Sequence, residues 1–229
     1  MVHCRHMAGE PTEPFKEMSL AVTAVTDRLS AISGGSDTDY FDTINKILTE
    51  ALWTYDKVLE SARDNNLQYA AFGARNILEL FVWGIYCSLS VSNAAQFRQD
   101  AARDAIGLMQ ALERFLESKQ VLEHVAGALS EGKDSIARFA AEVGVEEDDN
   151  NYCRVSAAAV ALHPQLGAFF KLLNVALSKV IHPTALLVNY PYRSQDVTQI
   201  MATATSVATS MMNALVTIVA AKIPQSNAS

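Results

Sequence analysis

The run "ILELFVWGIYCSLSV", residues 77–91, constrains the fold more than any other part of the chain. Glu79 is its only charge. A helix that is apolar on nearly every side is stable only when other elements cover it on several sides. The neighbouring stretches have the pattern needed to supply that cover. Residues 40–64 carry Phe41, Ile44, Leu48, Leu52, Tyr55, Val58, Leu59 and Ala62 at helical spacing, with Asp42, Lys46, Glu50, Lys57 and Glu60 mostly off the stripe.

The rest of the chain reads the same way. Phe15, Met18, Val22, Val25, Leu29 and Ile32 define a helix over residues 14–33, and "GGSDTD" then breaks the chain and offers caps. "DNN" separates 40–64 from a buried helix over 67–91. A charged amphipathic helix follows over 93–118, then one over 119–143 that Gly127 and Gly132 weaken. "VEEDDNN" reads as a solvated acidic loop. Helical pattern resumes near Val155 and continues past Pro164 to Ile181, where His163 caps a helix with Pro164 at its first position. "NYPYRSQD" is a linker, and a last helix spans 196–221. The expected fold is all-α: a single bundle of about six to eight mostly antiparallel helices over residues 14–223, with a disordered N-terminus over 1–13 and a short tail over 224–229. No solenoid repeat is visible. With only 10 Gly and 6 Pro in 229 residues, a turn-rich all-β fold is excluded.

Uncharged from residue 197 to 221, the last helix is long enough to span a bilayer. Its sequence, "MATATSVATSMMNALVTIVAA", is rich in Ala, Thr and Ser and holds Asn213. Such residues insert poorly, and no aromatic belt flanks them. The expectation is a buried bundle or dimer helix near the centre of the fold, with no membrane partner; a homodimer through the apolar helices is the candidate assembly.

The formal charge is −7, so a phosphate backbone gains no general electrostatic attraction, and no Lys/Arg run supplies a local one. Cys4, Cys87 and Cys153 are odd in number and far apart, which fits a reducing cytoplasm better than a disulfide framework. Cys87 reads as a small core residue. The opening "MVHCRHMAGEP" has no apolar signal segment. His3, Cys4 and His6 lack a fourth ligand, so no metal and no cofactor is expected.

Glu79 carries the chemistry. An ionised carboxylate in that apolar run needs a partner. Arg75, four residues earlier, lies on the same helical face, and Tyr86 falls on it again seven residues later. Arg75, Glu79 and Tyr86 therefore form a polar seam, read either as a register-fixing ion pair or as the wall of a pocket. Arg before Glu at this spacing is the less favourable order, so a second partner from another helix is expected. "SKVIHPT" offers one: Pro183 pushes His182 out of the helical region, and Lys179 lies one turn earlier. The expectation is that the His182 ring turns toward Glu79, and that Arg75, Glu79, Tyr86, Lys179 and His182 make one ligand-binding polar cluster.

"RNILELFVWGIY", the following "FRQDAARDA" and the late "LSKVIHPT" resemble a group of uncharacterised bacterial all-helical proteins. These are similar in architecture to the HEPN (higher eukaryotes and prokaryotes nucleotide-binding) bundles, over roughly residues 40–190. The resemblance implies a stress or defence role, in some members ribonuclease activity, and singles out Arg75, Glu79 and His182. The ribonuclease members use an Arg followed four to six residues later by a His; this sequence has no such pair.

The sequence has no Glu-x-x-His pair for a di-iron bundle, no G-x-G-x-x-G or G-K-[ST] phosphate loop and no G-x-S-x-G elbow. A non-enzymatic helical module that binds a ligand or partner is therefore the expected function. The alternatives are a HEPN-like ribonuclease or nucleotide binder and a membrane-associated helical protein.

Overall fold

A computed structural model of the chain describes residues 12–32, 38–117, 123–146, 149, 151–181 and 194–223. Among them are eight helices and no strand: α1 (Glu13–Ile32), α2 (Thr38–Arg63), α3 (Leu67–Ser88), α4 (Val91–Glu117), α5 (Glu123–Val143), α6 (Val155–Leu162), α7 (Pro164–Ile181) and α8 (Ser194–Lys222). The all-α bundle expected from the periodicities is the observed architecture. Residues 1–11 and 224–229, which hold nearly all of the two expected tails, lie outside the described residues.

The helix ends are set by local chemistry. Asn66 caps α3 by accepting the Tyr69 amide, after a turn in which Asn65 takes the left-handed conformation (φ 56°) that Asn tolerates. The expected continuation of α3 to residue 91 does not occur. Ser90 instead accepts the Asn93 amide at 3.1 Å and opens α4 at Val91, while Asn93 Nδ2 donates back to the Tyr86 carbonyl at 2.8 Å. α5 closes with Gly144 at φ +70° and the Val145 amide bonded to the Ala140 carbonyl at 2.9 Å, a Schellman stop. His163 separates α6 from α7 as expected, with its Nδ1 accepting the Gln165 amide at 3.2 Å.

α3 is the central helix, flanked by α2, α4, α6, α7 and α8. Its two buried glycines allow close approach. A Cβ on Gly73 would stand 2.5 Å from a Val58 methyl of α2, and one on Gly84 would stand 2.4 Å from a Leu215 methyl of α8. Tyr55 of α2 is fully buried, and its hydroxyl pairs with Thr209 Oγ1 of α8 at 3.0 Å. The main core runs through α1, α2, α3, α6, α7 and α8. A second, smaller apolar cluster joins α4 to α5 through Ala102, Ala140 and Val145.

α8 is not central. It buries Met201, Ala204, Ala208, Met212, Leu215, Val216 and Val219 and turns Thr203, Ser206, Ser210, Asn213 and Thr217 outward. By length and composition it could cross a membrane, and 33% of its most apolar window is buried. The expectation of a central helix fails because only one stripe of α8 is covered, and its Thr, Ser and Asn are uncharged but polar and stay in water. Absence of charge alone does not locate the buried stripe.

Candidate functional site

The expected polar seam is only partly assembled. Arg75 Nε lies 3.3 Å from Glu79 Oε1, and it also donates to Asn174 Oδ1 of α7 at 2.7 Å. The partner that α7 supplies is thus Asn174, an uncharged amide that the sequence did not single out, and it bonds to Arg75 and not to Glu79. Nor is the seam deeply buried: the Arg75 and Glu79 side chains keep 28% and 33% of their exposure. On its other sides α3 buries its own Ile77, Leu78, Phe81, Val82 and Ile85 against the neighbouring helices. The apolar residues of the run are thus covered, while the arc that carries Arg75 and Glu79 stays partly open.

Two further members of the expected cluster, Tyr86 and Lys179, part from it. Tyr86 is two turns along α3, where its ring packs edge-on to Trp83 at 5.9 Å between centroids. Burial, and then a hydrogen-bonding contact with the Cys153 thiol, raise its phenol above the ordinary value. Lys179 is exposed on α7, five residues and hence about 140° around the helix from Asn174, so it faces away from α3. His182 lies outside the described residues.

Among the described residues the most deeply placed charges are elsewhere, in a cluster that sequence reasoning missed. Asp100 and Arg103 of α4 keep only 6% and 4% exposure. Arg103 Nη1 donates to Asp100 Oδ1 at 2.8 Å and Nη2 donates to Asp149 Oδ2 at 2.5 Å. Asp100 Oδ1 also accepts Gln96 Nε2 at 3.0 Å, and Oδ2 accepts the Cys153 backbone amide at 3.1 Å. Asp149 in turn accepts the Asn151 amide, and Gln96 donates to the Asn151 carbonyl. Burial pulls the Arg103 guanidinium down, but the bonds to Asp149 and Asp100 outweigh it and the net shift is up. The bond from Arg103 and then that from the Asn151 amide hold Asp149 below the usual carboxylate range.

This cluster ties Asp149, Asn151 and Cys153 onto α4 like a clasp. The acidic loop read as mere solvated chain therefore has structural members among its described residues, Asp149 and Asn151 here and Val145 in the α4–α5 cluster. The Asp-x-x-Arg spacing in "QDAARDA" was the available signal. In an amphipathic helix it looks identical to an exposed i,i+3 pair, so only the returning loop gives it away. Cys87 is fully buried beside this region, as expected, and burial and then Cys153 push its thiol up to about 12.

The largest concavity among those described is a groove of about 490 Å³ between α2, α4 and α5. Ile47, Leu80, Phe97, Ala101 and Phe139 form its apolar lining, and Trp83 packs on Phe97 from behind at 5.0 Å. Arg98 closes one end by pairing with Asp39 of α2 and, at 2.8 Å, with Glu142 of α5. Lys46 pairs with Asp42 at 2.6 Å, and Glu50 completes the rim. A smaller cleft of about 220 Å³ lies between α4 and α5, over Ile106, Met109, Ile136 and Ala140. Among the described residues, no three His, Cys, Asp or Glu side chains converge as a metal site.

No protein-family description, curated protein or solved structure matches this chain.

Proposed function

We propose that the chain is a non-enzymatic binding module and that its ligand lies in the groove between α2, α4 and α5. One observation carries the reading. A 490 Å³ space with an aliphatic and aromatic lining opens under a charged rim, within the size and character of sites that hold small molecules or short peptide segments. The rim also selects. Three carboxylates, Asp42, Glu50 and Glu142, stand against two cations, Lys46 and Arg98, and both cations are already paired, Arg98 also to Asp39 beyond the rim. The complementary ligand is a cationic amphipath: an apolar body for the floor and a positive head for Glu50. The Arg75–Glu79–Asn174 seam is a structural link between α3 and α7 on this reading.

The sequence resemblance carries an alternative, a HEPN-like ribonuclease or nucleotide binder. The missing Arg-x4–6-His pair and the acidic rim, which repels phosphates, both favour the binding module.

Decyltrimethylammonium and decyl sulfate, each below its micelle concentration, test the reading. Titration should quench or shift tryptophan fluorescence through Trp83, with the cationic probe binding at least tenfold more tightly. Ala101→Trp, at an exposed position that lines the groove, should fill the space and abolish binding, and Glu50→Lys should weaken it for the cationic probe only. Equal binding of both probes, or binding unaffected by Ala101→Trp, sinks the proposal.

A further inference from the structure

The α6–α7 hairpin is apolar on both its inner and its outer side. Its inner side buries Ala158, Ala159, Phe170, Leu177 and Val180 in the core. Its outer side leaves Leu172 at 66%, Val160 at 55%, Val175 at 51% and Phe169 at 41% exposure. Solvated helices carry charge on that side, whereas residues 155–181 contain no Asp or Glu at all, in a chain with 25 of them. Contiguous exposed apolar surface of this kind marks an interaction site.

We propose that this face is the contact between two copies of the chain, paired through antiparallel α7 helices. The register of α7 is self-complementary. At 100° per residue, Ala168, Leu172, Val175 and Lys179 share the centre of the exposed arc. A two-fold axis midway between Leu172 and Val175 brings those residues of both copies together. It also sets each Lys179 against the partner's Ala168, so that the long side chain meets a small one and the two lysines do not meet. Such a pair is isologous and closes on itself.

Charge decides between this occupant and a lipid surface. The copies are each at −7 and repel wherever their carboxylates meet, and this is the face that has none. Charges beyond about 8 Å are screened at physiological ionic strength. An anionic bilayer instead needs a cluster of about four to eight cations near the surface, whereas the exposed arc offers Lys171 and Lys179 in a net acidic protein. The patch is small against a standard interface, which makes the dimer a weak one, with a dissociation constant in the range of about 10–100 µM.

Sedimentation equilibrium of the full chain across that concentration range tests the inference. The expected result is a monomer–dimer equilibrium that Leu172→Glu weakens at least tenfold, with circular dichroism and melting unchanged because Leu172 is outside the core. Mixed Ala168→Cys and Lys179→Cys proteins should form the 168–179 cross-link in preference to either self-pair. A monomer at every concentration overturns the proposal, as does a dimer indifferent to Leu172→Glu. So does a monomer that co-sediments with phosphatidylserine vesicles.

Discussion

Asp100→Asn should loosen the clasp that holds Asp149, Asn151 and Cys153 on α4, and its cost can be worked from the geometry. The carboxylate accepts three hydrogen bonds: Arg103 and Gln96 on Oδ1, the Cys153 amide on Oδ2. Asparagine has one acceptor oxygen. Its better rotamer keeps that oxygen on Arg103 and Gln96, and then turns an NH2 group toward the Cys153 N–H. The charge-assisted bond to Arg103 becomes neutral, at a cost of about 1 kcal/mol. The Cys153 amide loses its acceptor, at about 1–2 kcal/mol. The total, about 2–3 kcal/mol, corresponds to a fall in Tm of roughly 5–10 °C for a chain of this size. Urea unfolding should give the same free-energy change, and amide exchange at Cys153 should accelerate selectively. In an Asp100→Asn background, Arg103→Met should cost less than it does alone, because the charge-assisted part of their bond is already lost. A change below about 0.5 kcal/mol, or additive single costs, would refute the argument that these two charges are desolvated and coupled.

Tyr55→Phe should destabilise by about 1 kcal/mol in chemical denaturation, since the ring stays buried and Thr209 keeps its bond to the Thr205 carbonyl while losing the phenol. Glu79→Gln should cost less than about 1 kcal/mol, the range for a half-exposed ion pair; a loss of 3 kcal/mol would mean that the seam is closed to water in solution. For Cys87 the folded value lies near 12 against an ordinary 9.0, so the neutral thiol's contribution to stability is complete below pH 9 and is lost as pH rises toward 12. At pH 8 iodoacetamide should therefore label Cys153 in the native protein and spare Cys87, and Cys87→Ala should flatten the loss of stability above pH 9.

The fold was legible where charge and apolar spacing agree. Met18, Val22, Val25 and Leu29 of α1 are buried, as their spacing requires, and so are Ile44, Leu48, Tyr55 and Val58 of α2. The site was less so. Arg75 and Glu79 do pair, because i,i+4 spacing is a property of the helix itself. Asn174 is 99 residues away in sequence, and neither residue carries a mark of the other. Phe97 and Phe139 were not singled out by the sequence, and the groove they line forms only where α2, α4 and α5 come together.

By itself the sequence determined the helices, most of their ends and the burial of α3, since periodicity, capping side chains and desolvation of a nearly uncharged run act over one helix or less. Tertiary structure alone decided which face of α8 is buried, that Asp100 and Arg103 lose solvent, and that α6 and α7 keep an apolar outer side. The physical reason is the same in each case. Whether a side chain is desolvated depends on what the rest of the chain brings over it, and a helix carries identical residues whether that cover is a returning loop, a neighbouring helix, a second copy or water.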